Sequence, residues 1–234
     1  MNTVVTGATK GIGKAIAVAF AREGYNLFLC ARTQKDLKDL QSELSADYPS
    51  IEIHIKTVDM SLKQEVITFA DSIKATWNQV HILVNNAGVW LPDTLLKEKE
   101  EGILEKLIET NLYSAYYLTQ NLLPSILAHK TGRIFNICSV ASLQFYPDSA
   151  SYSISKFAFL GYTKALREEL KPHNVKVTAV LPGATRTNAW KGVEVADNRL
   201  MEAKDVAKTI VAIVGLGDSA VVEEILMRPQ LGDL

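Results

Sequence analysis

The chain has almost no cysteine. Cys30 and Cys138 stand alone, each inside an apolar run. A disulfide framework and a cysteine metal site are thereby set aside in favour of two buried, reduced thiols. An excess of one charge is missing too. Lysine and arginine number 25, aspartate and glutamate 26, for a formal net charge of -1. No basic run is present, so nothing points to nucleic acid or an anionic membrane surface. No apolar stretch approaches the roughly 18–20 residues of a membrane span. A strand already opens at position 2, which leaves no place for a signal peptide and makes the cytoplasm the expected setting. Internal repeats, low-complexity tracts and domain linkers are absent. What remains is 234 residues, 47% hydrophobic and 22% charged, enough for one soluble domain over 1–234 with a sizeable core.

Short β-branched or apolar runs alternate with longer amphipathic stretches. Strands are expected at 3–6, 26–31, 51–58, 80–85, 132–139, 175–181 and 220–227. Helices are expected at 11–22, 34–47, 61–77, 150–171 and 203–214. The stretch from Lys97 to Lys130 reads as one or two long helices with Pro124 near a bend. Strand–helix alternation throughout predicts an α/β fold, a seven-stranded parallel sheet with helices on both faces. Right-handed crossovers favour the doubly wound Rossmann order, with ligands at the carboxyl ends of the strands.

Between the first strand and first helix lies Thr6-Gly7-Ala8-Thr9-Lys10-Gly11-Ile12-Gly13. Glycines there permit a tight turn and let a pyrophosphate approach the backbone at the positive end of a helix. Three residues, rather than one, separate the first two glycines. Such a turn can be simple punctuation, but its place after the first strand of an α/β pattern favours nucleotide binding. At the end of the second strand an NAD site usually has an acid for the ribose 2′-hydroxyl. This chain has Cys30-Ala31-Arg32-Thr33. Arg32 is placed to meet a 2′-phosphate, with Lys10 as a second positive charge. One charge-assisted hydrogen bond would favour NADP over NAD by about tenfold to a hundredfold, and no acid repels the phosphate.

Tyr152 and Lys156 stand four residues apart in Tyr-Ser-Ile-Ser-Lys, thirteen residues after Ser139. On a helix these positions share a face. A fixed ammonium beside a phenol lowers the cost of the phenolate and suits it to exchange a proton with a carbonyl oxygen. Alone, the pair is also what a solvated helix face provides. Its case depends on what else the chain carries; Ser139, at a strand end, is by itself often just a turn residue.

In these residues the chain resembles the short-chain dehydrogenase/reductases, from Asn2 to nearly its last residue. Gly7, Gly11 and Gly13 match that family's glycine loop. Val58-Asp59-Met60-Ser61 is similar to its adenine-contacting segment, and Asn85-Asn86-Ala87-Gly88 to its motif after the fourth strand. Asn111 falls where the family has a catalytic asparagine. Ser139, Tyr152 and Lys156 fit its active site, and Pro182-Gly183-Ala184-Thr185-Arg186-Thr187 resembles the segment that holds the nicotinamide. The resemblance implies an NADPH-dependent carbonyl reductase. In it Tyr152 gives a proton to the forming alkoxide and Ser139 hydrogen-bonds the same oxygen. Lys156 holds the nicotinamide ribose and assists Tyr152, and Asn111 holds a water that connects Lys156 to solvent. Trp190, the segment 222–229 and Gly232-Asp233 look like bacterial sepiapterin-reductase-like members. Carbonyl reductases and 3-oxoacyl-carrier-protein reductases share most of the same framework.

The segments after strands four, five and six supply Trp90, Leu91, Phe145, Tyr146 and Trp190 to the expected substrate side. An aromatic set suits a planar or hydrophobic ketone, and aromatic residues in loops also serve as packing. The stretch from Ala184 to Met201, with Lys191, Gly192, Asp197 and Asn198, reads as a lid. No metal site is expected. The resemblance also implies a homodimer or homotetramer paired through helices near 114–130 and 150–171. A pterin side-chain ketone, an acyl-thioester ketone and a xenobiotic dicarbonyl all remain open as substrates, as does an NADP-binding regulator without catalysis.

Overall fold

The structure, a computed structural model, describes residues 1–96, 101–128, 131–190, 192 and 194–234, with the backbone alone at 189 and 197. Among the described residues seven parallel strands form one sheet. They are β1 (Asn2–Thr6), β2 (Asn26–Ala31), β3 (Ile53–Thr57), β4 (Ile82–Asn85), β5 (Arg133–Ile137), β6 (Lys176–Pro182) and β7 (Glu224–Met227), in the order 3-2-1-4-5-6-7. The helices are α1 (Gly11–Arg22), α2 (Gln34–Asp47), α3 (Lys63–Thr76), α4 (Ile103–Ile108), α5 (Ser114–Leu127), α6 (Ala150–Leu170) and α7 (Ala203–Val214).

Side chains alternate across a strand, and the strands use both sides. Val5, Leu27, Leu29 and Val180 pack with Ile16 and Phe20 of α1, Leu37 of α2 and Ile210 of α7. Val4, Phe28, Leu83 and Ile134 pack on the other face with Phe69 of α3, Leu122 of α5 and Leu166 of α6. A fully buried leucine or phenylalanine stabilises such a layer by about 1.5–3 kcal/mol over leaving it exposed. Burial on both faces explains why these strands are nearly continuous apolar runs instead of alternating ones.

The sheet reverses its direction of growth at β1. β1 pairs with β2 from Asn2↔Asn26 to Thr6↔Cys30 and with β4 from Thr3↔Ile82 to Val5↔Val84. A crevice opens above such a switch point, at the carboxyl ends of the strands.

The stretch 97–130, expected as one or two long helices, is divided. α4 runs into a π-helical turn, Glu109–Tyr113, and then α5; both outer bounds of that stretch lie outside the described residues. Pro124 sits inside α5 and does not end it. β7 begins at Glu224 and not near 220, and the preceding stretch is irregular and tied to side chains of β6. There Lys176 Nζ donates to Gly217 O at 2.8 Å and Thr178 Oγ1 to Val222 O at 2.7 Å. Both cysteines are buried and free. Burial pushes the Cys30 thiol up to about 12 and the Cys138 thiol to about 11, which keeps them protonated and inert.

Candidate active site

One cavity of about 1120 Å³ runs along the carboxyl ends of the strands. Its floor at the switch point is the glycine loop. Gly7 and Gly11 have φ of 64° and 51°, a left-handed backbone that glycine adopts without strain. At Gly13 the need is space: a Cβ would lie 2.3 Å from Gly7 O, so no side chain fits while α1 packs this closely. No side chain caps α1 and its first turn has no acid, so the N–H groups of that turn remain available to an anion.

Asn86 braces this loop. Its Nδ2 donates to Thr6 O at 2.8 Å and Gly7 O at 3.2 Å, while Thr6 Oγ1 accepts from the backbone N of Asn86 and Ala87, both at 2.9 Å. The loop after β4 is thus stitched to the loop after β1, and Gly88 faces Lys156, where a Cβ would stand 3.6 Å from Nζ.

At one end of the cavity lie Lys10, Arg32, Asp59 and Met60. Burial works to raise the Asp59 carboxyl, but hydrogen bonds from Ser61 N (3.0 Å) and Ser61 Oγ (2.7 Å), with the nearby Arg32 charge, hold it below the usual range. The acid-free end of β2 is less open than the sequence implies. Asp36, in the first turn of α2, lines the same pocket and pairs with Lys10 at 3.0 Å. Arg32 is exposed and forms no ion pair among the described residues.

At the other end stand Ser139, Tyr152 and Lys156. Ser139 caps a short 3-10 turn after β5: its Oγ accepts from Ala141 N at 3.1 Å, which leaves the hydroxyl proton free to point into the cleft. It is therefore both a turn residue and an available donor. Lys156 is 5% exposed. Its Nζ donates to Ile137 O at 2.9 Å and lies 5.8 Å from the centroid of the Tyr152 ring. Among the described residues no carboxylate pairs with this ammonium. A buried cation with one carbonyl partner leaves two donors for a hydroxyl-bearing ligand.

Asn111 sits behind the cavity wall, 1% exposed, in the π-helical turn. Its Oδ1 accepts from Val89 N at 2.8 Å, and its Nδ2 donates to Val89 O at 3.0 Å and Ser155 Oγ at 2.9 Å. With both amide protons engaged, the side chain clamps the β4 loop to α6 and keeps one lone pair for a water. The extra residue of the π turn is what turns Asn111 inward.

Trp90, Leu91, Tyr146 and Trp190 line the same cavity. Phe145 does not: it is 62% exposed and outside the cavity lining, because Tyr146 takes the inward position beside it. Tyr146 is held by Asp233, to which its hydroxyl donates; Arg228 pairs with the same carboxylate, and Arg199 Nη2 donates to Asp233 O at 2.9 Å. Asp233 and Leu234 therefore fold back as part of the wall. Pro182, Gly183, Thr185 and Thr187 continue it. The ends of the 184–201 segment are pinned to each other by Arg186 N to Met201 O (2.8 Å) and Met201 N to Ala184 O (2.9 Å); Lys191 lies outside the described residues.

Several structural contacts gave no signal in the sequence. Asn85 Nδ2 donates to Asn136 Oδ1 at 2.8 Å and Asn136 Nδ2 to Thr163 Oγ1 at 2.9 Å, a buried polar chain joining β4, β5 and α6 beneath the site. Asp36 and Asp93 escape notice because their partners are remote in sequence, and Asp233, read only as part of a C-terminal likeness, gave no sign of its bond to Tyr146.

The description "short chain dehydrogenase" fits residues 1–198 of the chain. The chain belongs to this family of oxidoreductases. A sepiapterin reductase of Chlorobaculum tepidum is 34% identical over 239 residues, covering 99% of this chain and 97% of that protein. An alcohol dehydrogenase from the archaeon Thermococcus sibiricus, complexed with 5-hydroxy-NADP, superposes with a TM-score of 0.91 at 26% identity, covering 98% of this chain and 96% of that one. A metagenomic short-chain oxidoreductase in complex with NADP gives 0.85 at 31% identity, covering 98% and 97%. Among the described residues no helix is long and apolar enough to cross a membrane, and no cluster of side chains suits a metal ion.

Proposed function

We propose that the chain is an NADPH-dependent carbonyl reductase with Tyr152 as proton donor. The observation that carries the reading is one cavity with two chemically different ends: glycine loop, Lys10 and Arg32 at one, Ser139, Tyr152 and Lys156 at the other. The residues fit a dinucleotide phosphate. Gly7, Thr9, Gly11, Ile12 and Gly13 would cradle the pyrophosphate, Arg32 and Lys10 the 2′-phosphate, and Asp59 with Met60 the adenine. Asn86, Ala87 and Gly88 would back the central part, and Pro182, Gly183, Thr185 and Thr187 the nicotinamide. The chemistry such a cofactor supplies when bound is hydride transfer to the carbonyl carbon.

The chain's own residues handle the oxygen. Tyr152 passes its proton to it as negative charge develops. Ser139 donates a hydrogen bond to the same atom, which stabilises that charge where it forms. Lys156, held on Ile137 O, binds ribose hydroxyls and stabilises the charge left on Tyr152. Proton resupply by way of Asn111 would use its remaining lone pair. Trp90, Tyr146 and Trp190 shape the substrate end for a planar or hydrophobic ketone.

The reading is tested by NADPH oxidation with sepiapterin, an acetoacetyl thioester and simple diketones, with NADH in parallel. Turnover of one class names the substrate; tight NADPH binding without turnover of any would favour a regulator. The sepiapterin reductase relative supports a pterin ketone as the first compound to assay.

Arg32→Ala is expected to raise KM for NADPH about tenfold to a hundredfold, with a small effect on NADH. Asp36→Asn, which frees Lys10, is expected to act in the opposite direction on NADPH. Equal effects of Arg32→Ala on both cofactors would reject the 2′-phosphate assignment. Copies of the chain are proposed to pair through α5 and α6, where Tyr116, Ile154 and Phe157, with Tyr113 just before α5, are exposed. Light scattering is expected to give a dimer or tetramer, and a monomer alone would reject the pairing.

A further inference from the structure

Tyr152 is the third residue of α6, so the way this helix begins decides where its hydroxyl stands. The first turn of any helix has N–H groups without intrahelical partners. Ser149 is the local candidate to cap them, but its side chain makes no cap hydrogen bond. Its Oγ accepts instead from Trp90 Nε1 at 2.9 Å. The cap comes from 58 residues away. Asp93 Oδ1 accepts from Ser151 N at 3.0 Å, and Oδ2 accepts from the same N at 3.2 Å and from Ser151 Oγ at 2.5 Å. The backbones join as well: Asp93 N donates to Asp148 O at 3.2 Å and Ala150 N to Asp93 O at 3.4 Å.

Asp93 is 7% exposed, and among the described residues no cation pairs with it. A buried carboxylate in that state depends on N–H and O–H donors and on the positive end of a helix. Here all of these come from the first turn of α6. Capping alone does not require so remote a group, since Ser149 is adjacent. What the remote cap adds is a connection: the loop after β4 carries Trp90 in the cavity wall and Asp93 on the catalytic helix, and Trp90 itself is fastened to Ser149.

We propose that Asp93 is a positioning residue of the reaction, which fixes the first turn of α6 to the substrate-side loop and so sets Tyr152 against the carbonyl oxygen. This rests on the reading of Tyr152 as proton donor. The cofactor end of the cavity is held by other contacts, those of Asn86 and the glycine loop, so the effect of losing Asp93 falls on turnover and ketone recognition.

In the full chain, Asp93→Ala is expected to lower kcat by about thirtyfold to a hundredfold, the size expected when a reacting group is displaced by about an ångström. KM for the ketone rises, and the dissociation constant for NADPH, read by its fluorescence, changes by less than about twofold. Asp93→Asn keeps an oxygen acceptor for Ser151 N and restores most of kcat. Hydrogen exchange at the amides of 150–153 becomes faster in Asp93→Ala and is unchanged in Tyr152→Phe. Wild-type kcat in Asp93→Ala overturns the proposal, as does a loss of NADPH affinity equal to the loss of kcat, which would mark general destabilisation. If Asp93→Ala fails to fold, Asp93→Asn and Asp93→Ser carry the test: kcat must follow amide protection at Ser151, and a mismatch overturns the idea. Full turnover in Tyr152→Phe would bring down the proton-donor reading, while the exchange data report separately on what Asp93 holds.

Discussion

Tyr152→Phe is expected to reduce kcat for ketone reduction by about 10²–10⁴-fold, the range a positioned proton donor contributes, with NADPH bound as tightly as before. The substitution removes one oxygen and little else. The aromatic ring remains, and with it the neighbour relation to the Lys156 ammonium, 5.8 Å from the ring centroid. Among the described residues the Tyr152 hydroxyl makes no hydrogen bond, so its removal breaks no contact of the fold. Lys156 stays on Ile137 O and Ser139 on its own turn, because neither depends on the phenol. Ser139 still provides a hydrogen bond to the developing oxyanion, which accounts for a residual rate above zero. The measurement is steady-state NADPH oxidation with the best ketone of the panel, beside a fluorescence titration of NADPH. Turnover near the wild-type value would remove Tyr152 from the chemistry. A parallel loss of NADPH affinity would make it a cofactor ligand instead.

That this tyrosine and lysine are legible in the sequence has a simple cause: their relation is local. A spacing of four on a helix fixes a shared face wherever the helix packs. The glycine loop is legible for the same reason, since its φ angles and its close approach to α1 are properties of eight consecutive residues. Apolar runs of strand length, buried on both faces, likewise declare a parallel sheet before any partner is known. Helix faces and strand periods therefore carry the fold and half of the site.

The rest depends on partners far along the chain, which periodicity does not encode. Asn86 reads as a motif residue, yet its work is to hold the carbonyls of Thr6 and Gly7. Asp36 is one more acid in a charged helix until the fold brings it to Lys10. Ser149 is the adjacent candidate to cap α6, and Asp93 takes that place from the loop after β4, 58 residues away. Tyr146 and Phe145 are equivalent in sequence; only the return of the C-terminal segment, with Asp233 under the Tyr146 hydroxyl, decides which one turns inward. The π-helical turn is equally silent, because one extra residue between α4 and α5 leaves no compositional trace, although it aims Asn111.

Lys156→Ala is expected to differ from Tyr152→Phe by damaging binding and chemistry together. Its ammonium is buried, anchored on Ile137 O, beside Tyr152 on one side and 5.5 Å from the Phe159 ring on another. Two of its three donors remain for ribose hydroxyls. Losing one charge-assisted hydrogen bond of this kind weakens NADPH binding by about tenfold to a hundredfold. Losing the positive charge also withdraws support from the anion formed on Tyr152, which lowers kcat by a further factor of about ten or more. Alanine in addition leaves Ile137 O without its donor in a buried place, so a modest fall in thermal stability accompanies the loss. Arginine is not expected to rescue: a planar guanidinium on a longer stem does not fit where a compact ammonium lies between a carbonyl and two rings. NADPH titration and kcat, measured on both variants with the same ketone, separate the roles. Tyr152→Phe should move kcat alone, and Lys156→Ala should move both. If Lys156→Ala moved neither, the ammonium would be a structural tie from α6 to β5, and the charge assistance assigned to it would have to come from elsewhere in the cavity.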